Sequence, residues 1–252
     1  MLLKNKPEFY MTFQHPGLIV VALSYIFGGF SLLIFAVFLW MGNLNLLDFG
    51  WSESAALTFN AGLSLAFFLQ HSIMVRQSFK QRLSKLFPDA YHGAVYSIAS
   101  GIFLFMVIIF WQATALLWEA QGLTRLLMRL FFILPIAGFF WGVKSLVFFD
   151  PFGIQAVFER ERHTKHRRAK FVVKGPYRWV RHPLYFFLLI MIWSCPDMSA
   201  DRLLFNIMWS AWIVIGASLE ERDLAREFGS AYRDYQKNVP MLIPFKWHPK
   251  VK

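Results

Sequence analysis

The sequence predicts an all-α, polytopic integral membrane protein: four long transmembrane helices, a C-terminal helical hairpin, and both termini on the cytoplasmic side. Three observations predict it. Of the 252 residues, 57% are hydrophobic and 19% aromatic, which is too apolar for a soluble domain of this length. The apolar residues gather into runs of about 20 or more, the length that crosses a hydrocarbon core of about 30 Å. The basic residues sort to alternate loops, the bias that marks cytoplasmic segments.

The first run, 17–41, is long and lacks a small-residue cleavage site, so it is expected to stay as a span rather than leave as a signal peptide. Runs at 54–74, 94–118 and 126–149 supply three more. A further apolar region, 183–219, is interrupted by CPDMSADR at 195–202, so it reads as a helical hairpin and brings the total to five or six spans. Its first arm, the 13 residues of 183–195, rises only about 20 Å. It is either short or begins below the membrane surface.

The net charge of +11 follows the same topology. Lys4, Lys6, Arg76, Lys80, Arg82, Lys85, the basic stretch within 150–182 and the segment after Glu220 share one face if the chain crosses six times. The opposite loops carry Arg125 and Arg202, with Arg129 and Lys144 inside the fourth span. Sidedness of this kind accounts for the charge through orientation and contact with anionic membrane lipid, and no nucleic-acid partner is expected. A lone cysteine, Cys195, excludes an intramolecular disulfide and a cysteine metal cluster. No metal-ligand spacing such as HExxH occurs, so no metal is expected.

Two polar clusters need explaining. In GPYRWVRHPLYFF at 175–187, Pro183 suits the first position of a helix and makes His182 the expected N-cap. The free amides of Leu184 and Tyr185, with Arg181, would form a site for a carboxylate or phosphate. Arg178, Arg181 and His182 would equally serve as interfacial anchors. In SLEERDL, Glu220 and Glu221 are expected at a helix C-terminus or just beyond the apolar run, where carboxylates oppose the helix dipole and require a cation. Arg222 or Arg181 would supply it structurally, a cationic ligand functionally. Because a hairpin returns its ends to one side, the two clusters should be neighbours around a zwitterionic, cationic cofactor.

GPYRWVRHPLY, LEERDL and FGSAYRDYQKNVPMLIPF, in that order over 169–245, resemble the C-terminal core of the isoprenylcysteine carboxyl methyltransferase and NnrU-like superfamily. Its enzymes are membrane proteins that use S-adenosylmethionine. Upstream, LQHSIMVRQSFK at 69–80 and FFDPFGIQAVF at 148–158 resemble the methanethiol S-methyltransferase branch, which makes dimethyl sulfide from methanethiol. The resemblance implies a single membrane domain, 1–252, with substrate-side helices in 1–149 and a cofactor-binding core in 150–252. It implies S-adenosyl-L-methionine as cofactor, bordered by Lys170, Phe171 and Val172, with Tyr177, His182, Pro183, Leu184 and Tyr185 around it and Glu220 as the acid that meets it. Arg181 joins these through the anion site. Prenylcysteine methyltransferases resemble one another in an Arg one turn before that acid; here the position is Gly216, which leaves a substrate carboxylate without a partner.

A small thiol is therefore the expected substrate, with His71 as proton acceptor and Arg76 as electrostatic support for the thiolate. The alternative for this pair is a helix-end histidine satisfied by Gln70 or Ser72 and an arginine among headgroups. His163 and His166, in ERERHTKHRRAK, read as part of a solvated basic loop. The expected location is a bacterial inner membrane with the cofactor site facing the cytoplasm. Other readings are a superfamily methyltransferase acting on lipid, or a non-catalytic NnrU-like membrane or transport protein.

Overall fold

The computed structural model describes residues 15–146, 150–161 and 171–245. Its first rod has three parts: α1 (His15–Leu23), a wide π-helical stretch (Ser24–Phe30) and α2 (Ser31–Met41), with helical backbone at both joins. The wide turn lies where the rod crosses α5 (His92–Phe110), so closely that a β-carbon at Gly101 would sit 1.9 Å from the Phe27 carbonyl oxygen. Within it, Ser31 Oγ donates to the Gly28 carbonyl over 3.1 Å. A side-chain hydroxyl thereby satisfies backbone that a π turn shifts out of the regular ladder, as lipid surroundings require.

Between α5 and the long α9 (Ala200–Phe228) packs α3 (Glu53–Met74), opened by Ser52, whose Oγ accepts from the Ala55 amide. Its 22 residues rise about 33 Å, a full crossing. Among the described residues, four helices are long and apolar enough to cross a membrane by composition, at Gly17–Met41, Asp89–Phe110, Gly122–Ser145 and Ala200–Phe228; α3 holds no stretch that apolar. Its polar groups point at neighbours rather than at lipid. Asn60 exchanges bonds of 2.8 and 2.9 Å with the Gln112 backbone, Ser64 accepts from the Trp209 indole and Ser72 from that of Trp212.

The third span was expected to run to 118, but α5 stops at Phe110. Side chains take over from there: the Trp111 indole and the Thr114 hydroxyl each donate to Asp201 over 2.8 Å. The chain then leaves as β1 (Leu116–Glu119), paired antiparallel with β2 (Asp197–Ser199) in the hairpin turn. This ribbon is a small addition to an otherwise helical fold. Next, α6 (Gly122–Ser145) begins earlier than 126 and leaves the helix at Leu146; residues 147–149 fall outside the described residues. It packs on α8 (Pro183–Trp193) through Gly138 and Gly142, where β-carbons would come within 2.5 Å of Phe187 and 2.7 Å of Leu184. Small residues of this kind let membrane helices approach.

The 11 residues of α8 rise about 16 Å, so this arm does not cross a bilayer on its own. Its partner α9 runs on for 29 residues. It passes Glu220 and Glu221 without a break, so of the two positions expected, both lie just beyond the apolar run but inside the helix, not at its C-terminus. Past Gly229, α10 (Ser230–Asn238) folds back on α9, while α4 (Gln77–Leu83) and α7 (Gln155–Glu161) are short helices in the connections on the same side.

Arg202, assigned from sequence to a loop, stands in the first turn of α9 and is only 1% exposed. Its guanidinium donates over 3.1 Å to the carbonyls of Leu39 and Ile192. Both carbonyls belong to the last turns of helices α2 and α8, where the final acceptors lack helical partners and the dipole favours a cation. Below this junction an aromatic core fills the bundle, with Trp209 stacked on Phe205 at 4.6 Å and on Phe67 at 5.0 Å between ring centroids.

The crossing makes a prediction of opposite signs at two helical glycines. Gly101→Ala should destabilise the protein by about 1–3 kcal/mol, because its methyl meets backbone that cannot rotate away. Gly62→Ala, where a β-carbon meets nothing within 4 Å, should be neutral or stabilising by up to about 1 kcal/mol through helix propensity. Thermal unfolding of the two variants in detergent measures both.

Candidate active site

Pro183 opens α8 as expected, and His182 holds the N-cap position, but its side chain makes no capping bond. The imidazole turns instead toward α9. Its Nε2 lies 2.8 Å from Glu221 Oε1 and its Nδ1 3.7 Å from Glu220 Oε2, and its ring stacks on that of Tyr185 at 5.5 Å. The α8 entry is held from the other side by a backbone strap: the amides of Arg181 and His182 donate to the carbonyls of Pro240 and Met241.

The two adjacent glutamates have different surroundings. Successive helical residues point about 100° apart, and here one faces protein and the other faces a cavity. Glu221, its side chain 8% exposed, accepts from Arg181 Nε, His182 Nε2 and the Tyr232 hydroxyl at Oε1 over 2.7–2.8 Å. At Oε2 it receives Gln236 Nε2 over 2.5 Å and Arg181 Nη2 over 2.8 Å. Glu220 is 45% exposed and accepts the Tyr185 hydroxyl at Oε2 over 3.0 Å. Its other oxygen receives no hydrogen bond from the described residues.

Glu220 lines a cavity of about 700 Å³. The 171–173 segment, Tyr177 of a 3₁₀ turn (Gly175–Arg178), and Tyr232 and Tyr235 of α10 wall its mouth. The 151–152 dipeptide of the DPFG stretch also lines it. Burial and then the Glu220 charge push the Tyr177 phenol up, and burial does the same to Tyr235, so both stay neutral. Further in, the walls become apolar, with Phe67 of α3, Leu104 of α5, Phe139 of α6 and Leu188 of α8. At this inner part stands His71. Its Nδ1 lies 3.2 Å from Ser100 Oγ, and its Nε2 2.5 Å from the Tyr96 hydroxyl.

The structure thus brings together on one cavity His71, Phe171, Val172, Tyr177, Arg181, His182, Pro183, Leu184, Tyr185 and Glu220. Lys170, His163 and His166 lie outside the described residues. Arg181 lines the cavity, but every guanidinium nitrogen is already engaged by Glu221 or by the carbonyls of Gln236 and Val239. As a free anion-binding group it is therefore corrected to a structural cation. Arg76 is exposed and off the cavity, because extended backbone at that residue turns the chain out of α3 and into α4. His71 is satisfied by α5, not by Gln70 or Ser72. Sequence reading missed Tyr96, Ser100, Tyr232 and Tyr235. The spacing of Tyr96 and Ser100 at i, i+4 in an otherwise apolar helix was the available signal.

The chain is 34% identical over 192 residues to methanethiol S-methyltransferase 2 of Bradyrhizobium diazoefficiens, covering 75% of this chain and 73% of that one. It is 31% identical over 236 residues to the methanethiol S-methyltransferase of Crocosphaera subtropica, with 89% and 92% covered. The chain belongs to the methanethiol S-methyltransferase family. It is also 25% identical over 180 residues to Nurim of Rattus norvegicus, at 68% of each. No family model matches the chain, and no solved structure does. As a member of the methanethiol S-methyltransferase family it is a membrane-spanning methyltransferase, and a methyl donor must bind it.

The division between the two glutamates is testable without a ligand. Glu221→Ala should destabilise the protein by about 3–5 kcal/mol, since it strands a buried arginine. Glu220→Ala should change the unfolding temperature in detergent little. A reversed order would show that the network is not centred on Glu221.

Proposed function

We propose that this protein is an S-adenosylmethionine-dependent thiol S-methyltransferase converting methanethiol to dimethyl sulfide. The observation that carries the reading is one cavity joining a carboxylate, Glu220, one of whose oxygens no described residue engages, to an apolar inner end that holds His71. The names of the relatives support the thiol, and the residues present suit the donor. A volume near 700 Å³ lies within the range of small-molecule sites. Glu220 would meet the cationic part of the donor. The first-turn amides of Leu184 and Tyr185, which have no helical acceptor by position, would meet its carboxylate. Tyr177, Phe171 and Val172 would flank the rest.

When bound, the donor supplies an electrophilic methyl on a positively charged sulfur. The protein's part is positional and acid–base. The apolar walls at Phe67, Leu104, Phe139 and Leu188 exclude water and confine a small thiol against the methyl, and alignment of this kind accounts for much of the rate in an in-line displacement. His71 takes up the thiol proton, since the thiolate is the nucleophile. In this reading 150–252 forms the cofactor side and the helices of 1–149 the substrate side. The basic residues favour a cytoplasmic orientation of the mouth and both termini, in a bacterial inner membrane and in contact with its anionic lipids. Against prenylcysteine stands Gly216. A β-carbon there meets nothing within 4 Å, so packing does not forbid an arginine, and its absence leaves a substrate carboxylate unpartnered.

The test is a headspace assay of purified protein with S-adenosylmethionine and a thiol panel. Dimethyl sulfide should appear from methanethiol, and prenylcysteine should neither react nor compete. Rapid prenylcysteine methylation without a volatile product would overturn the substrate while leaving the enzyme class.

Two variants separate the ends of the cavity. Glu220→Ala should weaken calorimetric binding of S-adenosylhomocysteine severely, by about tenfold or more for a lost charge-assisted contact. His71→Ala should leave that affinity nearly intact and lower turnover by about 100-fold, partly recovered as pH rises and free thiolate increases. Unchanged product affinity in the first variant, or unchanged turnover in the second, removes the residue from its role.

A further inference from the structure

The acceptor His71 does not face the cavity with a bare nitrogen. Its Nδ1 is 3.2 Å from Ser100 Oγ, which also receives Gln70 Nε2 over 3.4 Å. Its Nε2 is 2.5 Å from the Tyr96 hydroxyl. The ring is enclosed by Phe67 at 5.3 Å and by Trp212, edge-on, at 5.1 Å. The Tyr96 hydroxyl lies 3.1 Å from Nδ1 as well and is nearest Nε2; with Nδ1–H donating to Ser100, Nε2 is the ring nitrogen left to accept its proton. Both α5 hydroxyls line the same cavity as His71. Tyr96 also stands within electrostatic reach of Glu220 and Tyr185, so it lies between the carboxylate end and the imidazole.

We propose that Tyr96 is a catalytic residue of the thiol site: its oxygen accepts the substrate's S–H proton while its own proton passes to Nε2 of His71. The inference rests on the thiol reading above. The thiol S–H bond breaks, and the pair left on sulfur forms the new S–CH3 bond. The donor's sulfur–methyl bond breaks with its electrons returning to that sulfur, which becomes a neutral thioether. Tyr96 ends as it began, a phenol, and His71 as an imidazolium that returns its proton to solvent before the next turnover. A phenol suits this relay because it gives and takes a proton through one atom and is itself neutral before and after the transfer.

The discriminating variable is the acidity of the thiol. An alkyl thiol is mostly protonated at neutral pH and needs the relay, whereas an electron-poor aryl thiol arrives as thiolate and does not. In Tyr96→Phe, turnover should fall about 100-fold with ethanethiol and less than about threefold with 4-nitrothiophenol. The ratio of the two rates within one preparation is independent of the folded fraction, so partial misfolding of the variant does not obscure it. A second readout needs no cofactor. In the ¹⁵N spectrum of histidine-labelled protein, with the His71 signals assigned by their loss in His71→Gln, the Nε2 resonance should shift when Tyr96→Phe removes its donor. An equal loss for both thiols, or an unmoved resonance, overturns the relay. If the wild type methylates neither thiol, the thiol reading itself fails and the proposal with it. An active wild type with an unchanged rate ratio in the variant removes only Tyr96.

Discussion

The arrangement depends on one buried carboxylate. Glu221 gathers groups from three places in the chain: Arg181 and His182 at the entry to α8, Tyr232 and Gln236 on α10, and the 239–241 strap through Arg181 and the backbone of its neighbours. A carboxylate this enclosed is tolerated only with its acceptor sites filled, and here two cationic or imidazole donors and two neutral donors fill them. The same bonds fix the rotation of α9. With Glu221 turned to α10, helical geometry leaves Glu220 turned to the cavity.

Membrane geometry sets the depth at which this happens. From Ala200 to Glu220 the helix rises about 30 Å, the thickness of a hydrocarbon core. The glutamates therefore fall where lipid tails give way to headgroups, and the last turns of α9 with α10 build a cap beyond that level. At the other end the problem is the reverse, with helix carbonyls lacking partners rather than carboxylates. Arg202 answers it by reaching the last turns of α2 and α8, and Asp201 is held by Trp111, Thr114 and Ser199. The short α8 is possible because both of its ends are tied into polar protein, one by Arg202 and one by the strap.

Much of this was legible in sequence where one-dimensional signals suffice. The apolar runs gave the spans, Pro183 gave the start of α8, and the hairpin logic placed 175–185 beside Glu220. Ends governed by side chains from distant segments were not legible. Nothing local in the sequence near Trp111 announces that α5 stops because Asp201 is waiting, and nothing near Arg202 announces two helix ends above it. The glutamates carry a subtler lesson. Two adjacent acids signal a need for cations, but which acid is filled by protein depends on helix phase, and phase follows from how far α9 continues. An expectation that left open whether α9 ends near Glu220 hid that. Tyr96 was similarly hidden, since one tyrosine in an apolar span is ordinary until a histidine from another helix is found against it.

Seen as chemistry, the cavity has one end whose polar groups bond chiefly to one another and one whose carboxylate is half engaged. His71, Ser100, Tyr96 and Gln70 form a hydrogen-bonded set across α3 and α5, in which Gln70 Oε1 has no partner among the described residues. Glu220 is half satisfied, with Tyr185 on one oxygen. Side chains bonded to one another in apolar surroundings hold geometry, whereas a half-engaged carboxylate at the membrane boundary raises affinity for whatever cation completes it. A methyltransferase needs a donor site and an acceptor site side by side, and the two ends of this cavity differ in polarity as such a pair would. A charge at the inner end would lie unpaired among Phe67, Leu104 and Leu188, where lipid could not compensate it.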